Sequence, residues 1–91
     1  MDITTEVLKL LNDNNLKRFD FNPLLLSSMG NNYSFDYIFI EKNVIYVIYY
    51  DQLNQKPVNK INFNEVDPDE QNFIYNLLLD YGNIKSDVEY N

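Results

Sequence analysis

The sequence predicts a small α+β domain, in which an antiparallel three-stranded β-meander is flanked by an N-terminal and a C-terminal helix. Three observations predict it. Apolar residues recur at three- and four-residue spacing near both ends of the chain. The centre holds short runs dense in aromatic and β-branched residues. Between centre and C-terminal helix stands a helix-start signal, Asp67-Pro68-Asp69-Glu70.

Asp2 is placed to cap the first helix, whose apolar face is Ile3, Val7, Leu8, Leu10 and Leu11. Asn14 and Asn15 end it, because Asn tolerates the left-handed conformation. Leu16 to Phe21 fits either a short strand or a loop. Asn22-Pro23 reads as a cap followed by proline at the first helical position, which suggests a short extra helix over 23–29 ending at Gly30.

Tyr33 to Glu41 and Val44 to Tyr50 read as two strands joined by a Lys42-Asn43 turn. Asp51 to Pro57 is a polar loop, and Val58 to Phe63 is the third strand. Pro57 suits the start of that strand or a sheet edge, since proline has no N–H to donate to a ladder. In the last helix Asp67 caps, Pro68 sits at the first position, and Asp69 and Glu70 complement the helix dipole. Its apolar face is Phe73, Ile74, Leu77, Leu78 and Tyr81, and Gly82 is read as its stop. The alternating tail from Ile84 to Tyr90 fits an edge strand or a frayed end.

With 91 residues, 45% of them hydrophobic and 15% aromatic, the chain fits one folded acidic α+β domain over 1–91. It has no cysteine, which removes disulfides and thiolate metal sites. The N-terminus lacks a basic segment followed by an apolar one. The longest nearly unbroken apolar run, Val44 to Tyr50, is far short of the roughly 20 residues of a membrane helix. These features point to the cytoplasm. Asparagine is common throughout, which we read as the base composition of an AT-rich genome.

Absence of both histidine and cysteine removes the usual general base and the usual nucleophile. Asp67, Asp69 and Glu70 lie close together, but a helix start already accounts for them. A calcium loop built on Asn62, Asn64, Asp67 and Asp69 lacks the required glycine and closing glutamate. With only two glycines, Gly30 and Gly82, the chain has no phosphate-cradling loop. The expectation is a binding protein without catalytic activity, metal or cofactor.

Charge is unevenly placed. The net charge is -7; residues 1–64 hold seven acids against six bases, and residues 65–91 hold seven acids against Lys85 alone. Glu65, Asp67, Asp69, Glu70, Asp80, Asp87 and Glu89 are therefore the first candidate partner-binding set, suited to a basic protein. The same balance disfavours direct contact with nucleic acid or anionic membranes.

The second candidate set lies on the sheet. A two-residue turn pairs Glu41 with Val44 and Phe39 with Tyr46. One hairpin face then carries Phe35, Tyr37, Phe39, Tyr46, Ile48 and Tyr50, and the other carries Ile38, Ile40, Ile45, Val47 and Tyr49, with Asp36 at its margin. The aliphatic face suits the core. The aromatic residues Phe35, Tyr37, Phe39, Tyr46 and Tyr50 suit a partner or a homodimer contact.

Size, acidity, residue usage and missing catalytic groups resemble those of phage-encoded inhibitors of host enzymes, such as anti-CRISPR proteins and uracil-DNA glycosylase inhibitors. The resemblance implies a basic, nucleic-acid-binding partner in a host cytoplasm, with carboxylates standing in for phosphates. It assigns no residue roles. An immunity protein or antitoxin against a cationic toxin fits the acids equally well. A structural homodimer joined through the aromatic face is the rival that leaves the acids idle.

Overall fold

A computed structural model describes residues 2–21, 35–51 and 53–89, by backbone alone after Asp80. In chain order the elements are α1 (Ile3–Asp13), β1 (Arg18–Asp20), β2 (Phe35–Glu41), β3 (Val44–Asp51), β4 (Lys56–Asn62), a 3-10 turn (Phe63–Glu65) and α2 (Pro68–Glu89). The strands form one antiparallel sheet in the order β1-β2-β3-β4.

Helix α1 starts where the Asp2 carboxylate accepts hydrogen bonds from the Thr4 N–H at 3.1 Å and the Thr5 hydroxyl at 2.9 Å. It ends with Asn14 as cap and Asn15 left-handed at φ 60°. Val7 and Leu11 are its buried residues, one helical turn apart. The Lys42-Asn43 turn has both residues left-handed, φ 53° and 62°, which matches the twist of the strands it joins. Glu41 pairs with Val44 and Phe39 with Tyr46, the expected register.

Three expectations need correction. The sheet has four strands, because Arg18–Asp20 pairs with β2 as a strand, turning Phe19 toward the core and Arg18 and Asp20 outward. Helix α2 does not stop at Gly82 but runs to Glu89, and the tail forms its last turns. A glycine costs a helix about 1 kcal/mol but ends it only where the chain also turns left-handed.

The third correction concerns Phe35. Phe35 pairs with Tyr49 and Tyr37 with Ile48, so Asp36 is an extra residue, a β-bulge. The bulge moves Phe35 off the aromatic face and into the core, where it is fully buried. The suggested helix over 23–29 lies outside the described residues.

Side chains from every layer meet in one core: Val7 and Leu11 of α1, Phe21, Phe35, Ile38, Ile45 and Val47 of the sheet region, Phe63 and Val66 of the 3-10 turn, and Ile74 and Leu78 of α2. Each fully buried large side chain contributes roughly 1.5–3 kcal/mol by transfer from water. The helices thus cover one sheet face, and Tyr37, Phe39, Tyr46 and Lys60 lie on the other.

Candidate partner-binding surfaces

The acidic surface begins at the turn between β4 and α2. The Asn62 side chain caps the 3-10 turn by accepting from the Asn64 N–H at 2.9 Å, and Gln71 Nε2 donates to the Phe63 carbonyl at 2.8 Å. Asp67 then starts α2. Its carboxylate accepts from the Asp69 N–H and its carbonyl from the Gln71 N–H, each at 2.9 Å. The Thr4 hydroxyl donates to the Asn64 side chain. That bond brings the start of α1, with Asp2 and Glu6, to the same end of the molecule, which no local sequence pattern indicates.

Helix register sorts the predicted acids. At about 100° per residue, Asp69, Asp80 and Asp87 fall within about 20° of one line along α2, with roughly 16 Å of rise between the first two. Asn72 and Asn76, both exposed, continue that stripe. Glu89 falls on the opposite side of the helix by the same arithmetic; the side chains of Asp87 and Glu89 are not among those described. Glu65, Asp69 and Asp80 are exposed. None of the three carboxylates has an ion-pair or hydrogen-bond partner among the described residues: the ion pairs there are Arg18–Asp20 and Lys60–Glu41.

Glu70 is different. It is half-buried and accepts a hydrogen bond from the Tyr49 hydroxyl at 2.7 Å, joining α2 to β3. Burial pushes the Tyr49 phenol well above its ordinary range, and the hydrogen bond to Glu70 and the nearby charges of Glu70 and Asp67 push it further. Glu70 therefore has a hydrogen-bonded role in the fold. Asp69 lies in the first turn of α2, where the helix dipole favours an acid, and Glu65 in the first turn of the 3-10 helix.

The second surface is the sheet face away from the helices. Two rows of side chains cross it: Arg18, Phe39, Tyr46 and Asn62, and beside them Asp20, Tyr37, Ile48 and Lys60. The Arg18 guanidinium sits 3.7 Å from the centre of the Tyr37 ring. Lys60 Nζ lies 4.3 Å from the Tyr46 ring centre and 5.5 Å from that of Phe39. Phe39 and Tyr46 stack at 5.4 Å, and Tyr37 packs on Phe39 at 5.9 Å. Tyr37, Phe39, Tyr46 and Tyr50 are all half-buried, and Ile48 is buried although it stands outside the core cluster.

Each cation on this face has a carboxylate beside it. Arg18 meets Asp20 at 2.7 Å, and Lys60 meets Glu41 at 3.9 Å. The Arg18 guanidinium is held above its ordinary range first by its hydrogen bond to Asp20. The face is thus aromatic and locally neutral, which suits a protein surface better than a phosphate backbone.

Both sheet edges are guarded against strand addition. β1 is three residues long. β4 carries Pro57 at its second position, Lys56 and Lys60, and a bulge at Asn59, whose φ is 58° and which has no partner between the Ile48–Lys60 and Tyr49–Val58 pairs. Association through a continuous sheet is therefore disfavoured, which leaves the acidic surface and the sheet face away from the helices as the candidate surfaces among the described residues.

Three of the four oxygen donors considered for calcium are occupied locally, since Asn62 caps the 3-10 turn, Asn64 takes the Thr4 bond and Asp67 caps α2, and the Asp69 carboxylate alone has no partner among the described residues. Among the described residues no group of three or more acidic side chains forms a metal-holding cluster. No described helix is long and apolar enough to cross a membrane. Comparison of the chain with protein-family models, with curated proteins and with solved structures finds no match.

Proposed function

We propose that this protein is a non-enzymatic binding protein that docks on a basic, nucleic-acid-binding protein through the acidic surface of the 3-10 turn and α2. One observation carries the reading: Glu65, Asp69 and Asp80 are exposed and have no charge partner among the described residues. The Tyr49 hydrogen bond and helix capping account for Glu70 and Asp67, which leaves Glu65, Asp69 and Asp80 exposed with no side-chain partner among the described residues. A stripe of one sign on a rigid helix speeds encounter with an oppositely charged surface and sets its orientation. Blocking a nucleic-acid-binding cleft is the use that such a stripe serves most directly, since Arg and Lys donate to carboxylates as they donate to phosphates.

The test is retention of basic proteins by immobilised wild-type protein and by the variant Glu65→Lys/Asp69→Lys/Asp80→Lys. The reading predicts a specific nucleic-acid-binding protein held at low salt, released at about 0.5 M salt, where screening is within a few ångströms, and lost in the variant. Retention that is indifferent to both salt and charge reversal contradicts it.

The half-exposed rings of Tyr37, Phe39 and Tyr46 favour a second reading, a homodimer joined through the sheet face. Light scattering on Tyr37→Ala/Phe39→Ala separates the two. A wild-type dimer that becomes monomeric in this variant supports the second reading.

A further inference from the structure

At the end of the molecule where α1 finishes lies a cleft of about 230 Å³, lined by Asn12, Lys17, Ile40, Lys42 and Asn43. We propose that this cleft is an anion site that takes the phosphoryl group of a small phosphate monoester.

The charge pattern is the first argument. In a chain with twice as many acids as bases, two lysines and no acid line the cleft among the described residues. Neither lysine has an ion pair among the described residues. Two lysines lining one cleft together attract a dianion more strongly than either does alone.

The frame beneath them is fixed. The Lys17 carbonyl accepts the Ile40 N–H at 2.9 Å, which holds the approach to β1 against the end of β2. Lys42 sits in the first left-handed position of the turn, φ 53°, where Asn or Gly is adopted more easily.

Asp13, next to Asn12, and Glu41, between Ile40 and Lys42, flank the cleft in the chain and oppose an anion, although Glu41 is ion-paired with Lys60 at 3.9 Å. Two further features oppose it less. The C-terminal end of α1 has the negative sense of the helix dipole, but three of its last carbonyls are occupied. Leu10 O accepts from both the Asn14 N–H and Asn14 Nδ2, Leu11 O from the Leu16 N–H, and Asn12 O from the Asn15 N–H. The acidic end of the molecule begins at Thr4, eight residues and roughly 12 Å up α1 from Asn12, beyond the Debye length of about 8 Å at physiological salt.

Chemistry selects the ligand. The ammonium groups of Lys17 and Lys42 and the amides of Asn12 and Asn43 supply donors to phosphoryl oxygens, and Ile40 is an apolar wall for a short carbon chain. The volume is below the roughly 300–1,000 Å³ of sites for drug-sized molecules, which favours a compact monoester.

The experiment follows backbone amides by NMR while inorganic phosphate, glycerol 3-phosphate and glycerol are titrated in turn at low salt and pH 7.5, above the second phosphate pKa of about 6. The wild-type protein and Lys17→Gln/Lys42→Gln are compared. Both substituted side chains are exposed, so the variant should keep its melting temperature. The proposal expects saturable shifts centred on Asn12, Lys17, Ile40, Lys42 and Asn43, tighter for glycerol 3-phosphate than for phosphate and absent with glycerol. Apparent affinity should fall at least about tenfold in the variant, as charge-assisted bonds are lost. Shifts that rise without saturating, that centre on Lys9 and Lys56, or that persist unchanged in the variant overturn it.

Discussion

Replacing Tyr49 with Phe removes one hydroxyl and leaves the ring packed on Phe35, whose centroid lies 5.5 Å away. The change isolates the 2.7 Å hydrogen bond to Glu70 that ties β3 to α2. A hydrogen bond to a charged acceptor contributes roughly 1.5–3 kcal/mol net. Both groups are only half-buried, so solvent competes, and we take about 1–1.5 kcal/mol for Tyr49→Phe. For a domain of this size that lowers the melting temperature by roughly 4–10 °C.

The same contact predicts a pH dependence. The folded state holds the Tyr49 proton more tightly than the unfolded chain does, whose tyrosines titrate near about 10. Above that pH the unfolded state binds fewer protons than the folded state, so stability is full below about pH 10 and declines as pH rises further. Urea unfolding of wild type, Tyr49→Phe, Glu70→Gln and the double variant at pH 8 should give a coupling of about 1 kcal/mol. Repeating wild type and Tyr49→Phe between pH 9 and 11 should show the gap closing as pH rises, because Tyr49 ionises in the unfolded chain while the folded state keeps its proton, which favours unfolding of the wild type alone. A coupling near zero, or parallel curves across that range, would refute the claim that Glu70 belongs to the fold.

Further predictions follow from individual contacts. Phe35→Ala should cost about 3–5 kcal/mol and Tyr37→Ala only about 1, measured by urea unfolding; equal costs would contradict the bulge that parts them. Lys42→Asn should raise stability by about 0.5–1 kcal/mol by relieving a left-handed lysine, while weakening phosphate binding at the cleft. The Asp51 carboxyl is held below its ordinary range first by the Asn54 side-chain hydrogen bond at 2.7 Å, then by the Asn54 and Leu53 backbone N–H groups. Its stabilising contribution is therefore present above about pH 4 and lost as pH falls. In Asn54→Ala, NMR titration should find the Asp51 pKa closer to that of an unfolded aspartate.

Local chemistry made the hairpin and both helix starts readable. Lys42-Asn43 between two β-branched and aromatic runs set a register that places Phe39 opposite Tyr46, and Asp2 and Asp67 cap where their side chains suggest. What escaped was non-local or one residue wide. Asp36 bulges because Phe35 fits the core beside Tyr49 and Phe73, and no pattern of alternation reports a single inserted residue. β1 is too short for periodicity to separate it from a loop, so its pairing with β2 alone defines it. The acids were readable as a charge excess. Their sorting into a stripe of Asp69 and Asp80, an inward Glu70 and a capping Asp67 depends on the helix register and on Tyr49, a contact across 21 positions.

The measurement that tests the docking account most directly uses the basic partner retained by the wild-type protein, with its affinity measured across salt concentration for three forms. These are wild type, Glu65→Lys/Asp69→Lys/Asp80→Lys and Tyr37→Ala/Phe39→Ala. The account predicts a steep loss of wild-type affinity with salt, a loss of at least about a hundredfold in the charge-reversed form, and near-wild-type affinity in the aromatic variant. Binding that survives charge reversal and fails in the aromatic variant would contradict it and assign the interface to the sheet.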